Sequence, residues 1–283
     1  MTPTTSPKPS AGVYAALPWG RTWYQAAGPE SGLPVVLIHG FSVPSCVWDG
    51  TFEHLAQVGF RVLRYDLYGR GRSARPADCL YDLPCYLAQL TGLLEEVGWA
   101  DRPLSVVGLS MGGPIAAAFA ADNPDRLRAL ALIDPVVAGV PLNWKQRLLA
   151  VPLLGEILLR WLGPRVLVQG IRADFHRQEH LPSRLLRGYR SFMDSGFFRA
   201  LHRTMRHGML GDQRPVFAAL GRTAVPVLAV WGKEDATVPV AQAEILRQLV
   251  PQARVEIIPE AGHVPHWEQP EQVHTLLSRF LAP

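Results

Sequence analysis

Three residues that together make a nucleophile of a hydroxyl occur in this chain in the order serine, aspartate, histidine. The serine is Ser110, inside Gly108-Leu109-Ser110-Met111-Gly112-Gly113. The β-rich run Leu104 to Val107 precedes it and the small, Ala-rich stretch Met111 to Asp122 follows it. The G-x-S-x-G pattern therefore falls between a predicted strand and a predicted helix, the context its chemistry requires. A serine on so tight a turn projects its hydroxyl toward solvent, and crowded backbone demands small residues two positions to either side. The following helix N-terminus favours developing negative charge.

A serine hydroxyl is a weak nucleophile and needs a base. His263 lies in Pro259 to His266, just past the run Arg254 to Ile258, where it can reach a neighbouring strand end. The base needs an orienting carboxylate. Asp235 follows the run Val225 to Trp231 and precedes His263 by 28 residues. His266 rivals His263 as the base, and Glu234 and Asp134 rival Asp235; each rival is read first as structural. A tetrahedral intermediate needs two N–H donors. Met111 supplies one, and Phe41, in His39-Gly40-Phe41-Ser42 after the first strong strand, supplies the other. His39 itself is expected to be a structural hydrogen-bonder at the edge of the site. The substrate pocket is expected to draw on His39, Leu109, Trp144 and Val264. This chemistry calls for no metal and no organic cofactor.

Such groups must be held by a scaffold, and the pattern of the chain describes one. Short apolar runs (Val35 to Ile38, Arg61 to Tyr65, Leu104 to Val107, Leu127 to Ile133, Val225 to Trp231, Arg254 to Ile258) alternate with helical periodicity at Leu83 to Val97, Met111 to Asp122, Val240 to Val250 and Pro270 to Phe280. That alternation predicts an α/β fold with a mostly parallel sheet and helices on both faces. Reactive groups in such sheets gather at the carboxyl ends of the strands.

The alternation breaks between residues 139 and 223, where helices are expected at Leu148 to Trp161, Ser183 to Phe192 and Phe197 to Met209. This stretch holds 14 Lys/Arg against 5 Asp/Glu, a net of +9 in a chain whose total is +4. It reads as a helical cap, dividing the chain into core 1–138, cap 139–223 and core 224–283. Trp144, Leu148, Leu149, Leu153, Leu154, Ile157 and Trp161, with Met193, Phe197, Phe198 and Met209, are candidates for an acyl pocket or for the cap's own core. The cap's arginines read first as solvated helix faces, and second as a means of steering anionic substrates or meeting an acidic membrane surface.

Other features bound the function. There is no Lys/Arg run of the kind that binds nucleic acid. No apolar run approaches the ~20 residues of a membrane span, so stable membrane insertion is not expected. Met1 to Ser10 is Pro/Thr/Ser-rich and expected to be a loose tail without a secretory signal. Cys46, Cys79 and Cys85 are an odd, sparse set. They are expected to be free thiols in a reducing, cytoplasmic setting. The expected partner is a small-molecule ester, and the protein is expected to be a monomer or dimer.

With these residues in view the chain resembles the α/β-hydrolase superfamily. The matching pieces are His39-Gly40-Phe41, Asp66-Leu67-Tyr68-Gly69-Arg70-Gly71-Arg72-Ser73, Gly108 to Gly113, Gly232 to Pro239 and Gly262-His263. The resemblance implies an eight-stranded sheet with one antiparallel strand near its start and a cap after the sixth strand. It also carries Phe41 and Met111 over as oxyanion donors. Haloalkane dehalogenases and epoxide hydrolases are similar but place Asp where this chain has Ser110. The chain looks most like bacterial carboxylesterases and monoacylglycerol-lipase-like enzymes. Carbon–carbon bond hydrolases of ring-cleavage products share the Ser-Met-Gly-Gly run, but typically carry Asn and Trp at the positions of Leu109 and Val264. Perhydrolases and proline iminopeptidases are further relatives of the pattern, and a non-catalytic binder on the same fold is the competing class.

Overall fold

The run Pro34–Ile38 is apolar throughout and every residue of it is buried, as expected of a strand with neighbours on both sides and cover on both faces. In the computed structural model, which describes residues 12–282, it is the third strand of an eight-stranded sheet. The expected tail, Met1 to Ser10, lies outside the described residues. The strands are β1 (Val13–Leu17), β2 (Gly20–Ala27), β3 (Pro34–Ile38), β4 (Arg61–Tyr65), β5 (Leu104–Leu109), β6 (Leu127–Ile133), β7 (Val227–Gly232) and β8 (Ala253–Ile258). Their order across the sheet is β1-β2-β4-β3-β5-β6-β7-β8. β2 runs antiparallel to both its neighbours, and every other pairing is parallel. The carboxyl ends of β3 to β8 therefore share one edge.

Eleven α-helices are described: α1 (Asp49–Gln57), α2 (Leu83–Glu96), α3 (Gly112–Asp122), α4 (Trp144–Leu148), α5 (Leu154–Ala173), α6 (Ser183–Arg190), α7 (Ser195–Arg206), α8 (Arg214–Leu220), α9 (Gln242–Leu249), α10 (Pro265–Glu268) and α11 (Pro270–Leu281). The two-residue period of the strands sorts the core into two layers. Val36, Ile38, Val106, Leu130 and Trp231 pack with α2, α3, α8 and α9 on one face. Val35, Leu37, Val107, Ile133 and Val230 pack with α1 and α11 on the other, where the inner sides of α5 and α7 join them.

The segment between β6 and β7 is helical, as expected, but its boundaries differ from those read from periodicity. Pro152 and Leu153, the latter at φ +60, separate α4 from α5, so no helix runs from Leu148 to Trp161. α5 instead continues to Ala173 through Pro164, although an internal proline removes a helix hydrogen bond. Packing compensates. A Cβ added at Gly163 would lie 2.6 Å from Cε1 of Phe198 on α7, so the bare glycine lets the two helices close on each other at the proline. α8 lies within the inserted stretch of sequence, but it packs on α3, with Phe217 and Leu220 in the sheet's own core.

The cysteine expectation is corrected. Cys79 and Cys85 form a disulfide, and among the described residues Cys46 is the free thiol. Tyr81 at φ +59 reverses the chain ahead of α2, and the Asp82 side chain caps that helix by accepting the Cys85 N–H at 3.1 Å. The two Cα atoms are thereby brought to 6.8 Å, within bridging range. The basis for expecting a reducing compartment goes with the pairing. Among the described residues no helix is long and apolar enough to cross a membrane.

Packing is tightest where α3 leaves the sheet. A Cβ on Gly112 would lie 2.4 Å from the Ile38 carbonyl oxygen and 2.7 Å from that of His39, both backbone atoms that cannot swing aside. Gly112→Ala is expected to cost about 1–3 kcal/mol of stability, measured as a lower midpoint of urea unfolding; an unchanged midpoint would contradict this packing.

Candidate active site

One residue separates β5 from α3. Ser110 has φ +54, a left-handed conformation that a non-glycine residue keeps only when its surroundings impose it. They do: the Ser110 N–H donates to the Ile133 carbonyl at 2.9 Å, and its own carbonyl accepts from Gly113 N–H at 2.9 Å and Val136 N–H at 3.2 Å. A Cβ on Gly108 would lie 2.4 Å from the Gly112 carbonyl oxygen, the crowding expected of such a turn. The loop after β3 passes just as closely, since a Cβ on Gly40 would sit 3.2 Å from Ser110 Cβ.

The structure brings Asp235 and His263 together from the ends of β7 and β8. His263 Nδ1–H donates to Asp235 Oδ2 at 2.7 Å, while Asp235 Oδ1 accepts the backbone N–H groups of Thr237 (2.7 Å) and Val238 (2.9 Å). The carboxylate is thus oriented by backbone, and it orients the imidazole in turn. With Nδ1 committed, Nε2 is the nitrogen left to face the cavity that His263 shares with Ser110. Burial disfavours the charged imidazole, but Asp235, with Asp174 and Asp134 beyond it, outweighs burial and raises the His263 pKa.

The rivals occupy structural positions. Glu234 accepts the Ala261 N–H at 3.1 Å and so ties the loop after β7 to the loop after β8. Nε2 of His266 meets the Val47 carbonyl at 3.1 Å, its ring lies 4.9 Å from that of Trp48, and burial drops its pKa to about 3. Asp134 ends β6 and accepts the Gly232 N–H at 2.8 Å through Oδ1. Its carboxyl is pushed well above the usual range, first by burial and then by the neighbouring Asp235 charge. Asp134, Asp235 and His263 place potential metal-ligand atoms within 4.8 Å of one another. His263 Nδ1 and Asp235 Oδ2 are already bonded directly to each other.

Two backbone donors complete the arrangement. Among the described residues, neither the Phe41 nor the Met111 N–H has a hydrogen-bond acceptor, and both residues flank the Ser110 turn. Arg70, fully buried, holds the Phe41 loop: its Nε donates to the Phe41 carbonyl at 2.8 Å, and its other nitrogens donate to Tyr86 Oη (2.7 Å) and Thr204 Oγ1 (2.9 Å). One cation thereby joins the loop after β3 to α2 and α7. Asp66 fixes the same region by accepting from Ser45 N–H, Ser45 Oγ and Arg72 N–H.

A cavity of about 220 Å³ opens on Ser110 and His263. Leu109 and Val264 line it, as expected. His39 and Trp144 do not. His39 is fully buried, donating from Nδ1 to the Gly40 carbonyl at 2.8 Å and accepting the Leu67 N–H on Nε2 at 2.9 Å. Trp144 points outward and is 69% exposed. Of the cap residues named as candidates, Leu149 alone reaches the cavity. Phe197, Phe198 and Met209 are core, while Leu148, Leu153, Leu154, Ile157 and Trp161 face outward. The inserted stretch contributes instead Leu142, ahead of α4, and Leu159, Val166, Leu167, Ile171 and Met205 from its helices.

Residues with no signal in the sequence join the site. Asp174, at the end of α5, lines the cavity; its carbonyl accepts the His263 N–H at 2.7 Å and its Oδ1 accepts from Thr237 Oγ1 at 2.7 Å. Burial raises its pKa, opposed by His263 and Thr237. The Glu268 carboxylate accepts backbone N–H groups from Gly262 (2.7 Å), His176 (3.0 Å) and Arg177 (2.9 Å). Together they fasten the end of α5 to the histidine loop. Arg70 did have a signal, since it stands in the Asp66 to Ser73 motif.

Asp235→Asn should lower catalytic turnover by roughly a thousandfold or more. It should also shift the His263 titration, followed by NMR, to lower pH, because the removed charge is the main influence raising it. Asp134→Asn, which imitates a neutral carboxyl, should change kcat/KM by less than about tenfold. The reverse ranking of the two variants would make Asp134 the orienting acid.

Known proteins share this arrangement of elements. Residues 34–270 match the alpha/beta hydrolase fold family. The chain is 25% identical to the monoacylglycerol lipase abhd6-B of Xenopus laevis, over 92% of this chain and 78% of that protein. It is 27% identical to a 2-hydroxymuconate semialdehyde hydrolase of Pseudomonas putida, over 89% and 88%. Among solved structures it is similar to a bacterial membrane phospholipase A described as a virulence factor, with TM-score 0.79 and 26% identity, covering 96% of this chain and 85% of that one.

Proposed function

This chain belongs to the alpha/beta hydrolase fold family, and we propose that within it the protein is a serine hydrolase cleaving carboxylic esters of short to medium acyl chains. The observation that carries the proposal is the 2.7 Å bond from His263 to Asp235 at the cavity that opens on the strained Ser110. Ser110 Oγ attacks the ester carbonyl while His263 Nε2 takes its proton. The oxyanion is bound by the Phe41 and Met111 N–H groups. The C–O bond breaks, the alcohol leaves with the proton from His263, and Ser110 holds the acyl group. Water, deprotonated by His263, then releases the acid.

The cavity wall favours an ester over the carbon–carbon substrates of similar hydrolases. No Lys or Arg lines it among the described residues, and its one carboxyl group is Asp174. A dienoate from ring cleavage would bring its own carboxylate to a wall with no cation to pair it, beside an acidic group, a placement that is electrostatically costly. Leu142, Leu149, Leu159, Val166 and Leu167 instead suit an acyl chain. The similarity to a monoacylglycerol lipase and to a phospholipase supports the same reading. We assign α4 to α7, within residues 139–223, as a cap over the carboxyl edge of a core formed by residues up to 138 and from 224 onward.

Ser110→Ala should abolish hydrolysis of p-nitrophenyl butyrate and labelling by a fluorophosphonate while leaving the far-UV circular dichroism unchanged. The native protein should turn over p-nitrophenyl butyrate well ahead of a dienoate ketone or a prolyl-anilide. Retained activity in the variant, or faster turnover of the dienoate, would contradict the proposal.

A further inference from the structure

α5 is apolar on two sides. Its inner side supplies Leu159, Leu167 and Ile171 to the cavity. Its outer side, with the turn ahead of it, leaves Leu153, Leu154, Ile157, Trp161 and Leu162 exposed, Leu153 at 80% and Trp161 at 76%. Leu154, Ile157 and Trp161 are spaced by three and four residues and so form one stripe along the helix. Val151 and Leu148, both exposed, extend it toward α4. Apolar side chains scattered singly over a surface need no explanation, but a contiguous stripe does.

The charges around the stripe indicate what covers it. Residues 139–173 carry five Lys/Arg against the single acid Glu156, and Arg147, Arg160 and Arg165 are exposed beside the apolar side chains. An exposed tryptophan among leucines, bordered by arginines, fits the boundary between lipid headgroups and acyl chains. The surplus of positive charge selects headgroups with net negative charge. We propose that the outer side of α5, with the turn before it, docks on the surface of an anionic phospholipid bilayer. The helix lies in the headgroup plane and crosses nothing, consistent with its internal proline and its arginines.

The position of the stripe gives the docking a purpose that rests on the esterase reading: Val166 is exposed and also lines the cavity, so an acyl chain can pass from the bilayer to Ser110 along one helix. The far end of α5 is fastened to the histidine loop through Asp174 and Glu268, so contact at the stripe bears on a helix anchored beside the catalytic residues.

The test uses the full chain and vesicles of phosphatidylcholine with and without phosphatidylglycerol. Co-sedimentation is expected with the anionic vesicles, weakening as salt is raised. The triple variant Leu153→Ser, Ile157→Ser, Trp161→Ser should bind at least about tenfold more weakly while hydrolysing soluble p-nitrophenyl butyrate at the native rate, because none of the three lines the cavity. Ser110→Ala should bind vesicles as the native chain does, which separates a failure of docking from a failure of the esterase assignment. Absence of vesicle binding, or equal binding by the triple variant, would overturn the proposal. So would light scattering that shows a dimer dissolved by the triple substitution in a protein indifferent to lipid, for the stripe would then cover a second copy of the chain.

Discussion

Ser110 is kept at φ +54 against a cost of about 1–3 kcal/mol, and most of the molecule is arranged around the means of keeping it there. The turn is clamped by the end of β6 and the chain that follows it: β6 accepts its N–H, and Val136 just beyond donates to its carbonyl. The glycines at 108 and 112 let α3 press down on β3 and β5, so the helix begins directly under Ser110. Nothing in this clamp is chemical in itself. It turns a serine into a fixed projection at the edge where the other strands end.

Charge is managed by the same edge. Backbone N–H groups satisfy one oxygen of Asp235 and leave the other to His263. Asp134, behind it, has no such support on its second oxygen, which is buried without a hydrogen-bond partner, and burial with the nearby Asp235 raises its pKa. Burial and a neighbouring carboxylate thus single out one of two aspartates at adjacent strand ends, raising the pKa of Asp134. Arg70 holds the Phe41 loop in the same way. As a buried cation it requires several acceptors, and collecting them forces α2, α7 and the Phe41 loop into register.

The alternation of strands and helices, and the strand-end positions of Ser110, Asp235 and His263, are legible in the sequence because both follow local rules. Fully buried strands such as Pro34–Ile38 are continuous apolar runs, and Gly108 to Gly113 announces its own turn. β1 and β2 were not read as individual strands, because β1 is an edge strand with Val13 and Tyr14 exposed and neither has a clean period. The Cys79–Cys85 pairing depends on a reversal at Tyr81 that no residue type specifies. The helices between β6 and β7 were the hardest. Apolar residues there serve three destinations, the cavity, the contact between α5 and α7, and the outer surface, and periodicity cannot tell them apart. Leu153 and Trp161, candidates for the pocket or for the cap's own core, lie outside, whereas Leu159 and Ile171 line the cavity. Asp174 and Glu268 act through tertiary contacts with residues some ninety positions away, beyond any local signal.

The central claim is that Ser110 carries the acyl group between two half-reactions. Rapid mixing with p-nitrophenyl butyrate, acid quenching and peptide mass spectrometry address it directly. The account predicts a transient butyryl adduct on the peptide containing Ser110, formed as fast as the first p-nitrophenol is released and cleared as turnover proceeds. An adduct on another residue, or full turnover with no adduct at any time, would contradict it.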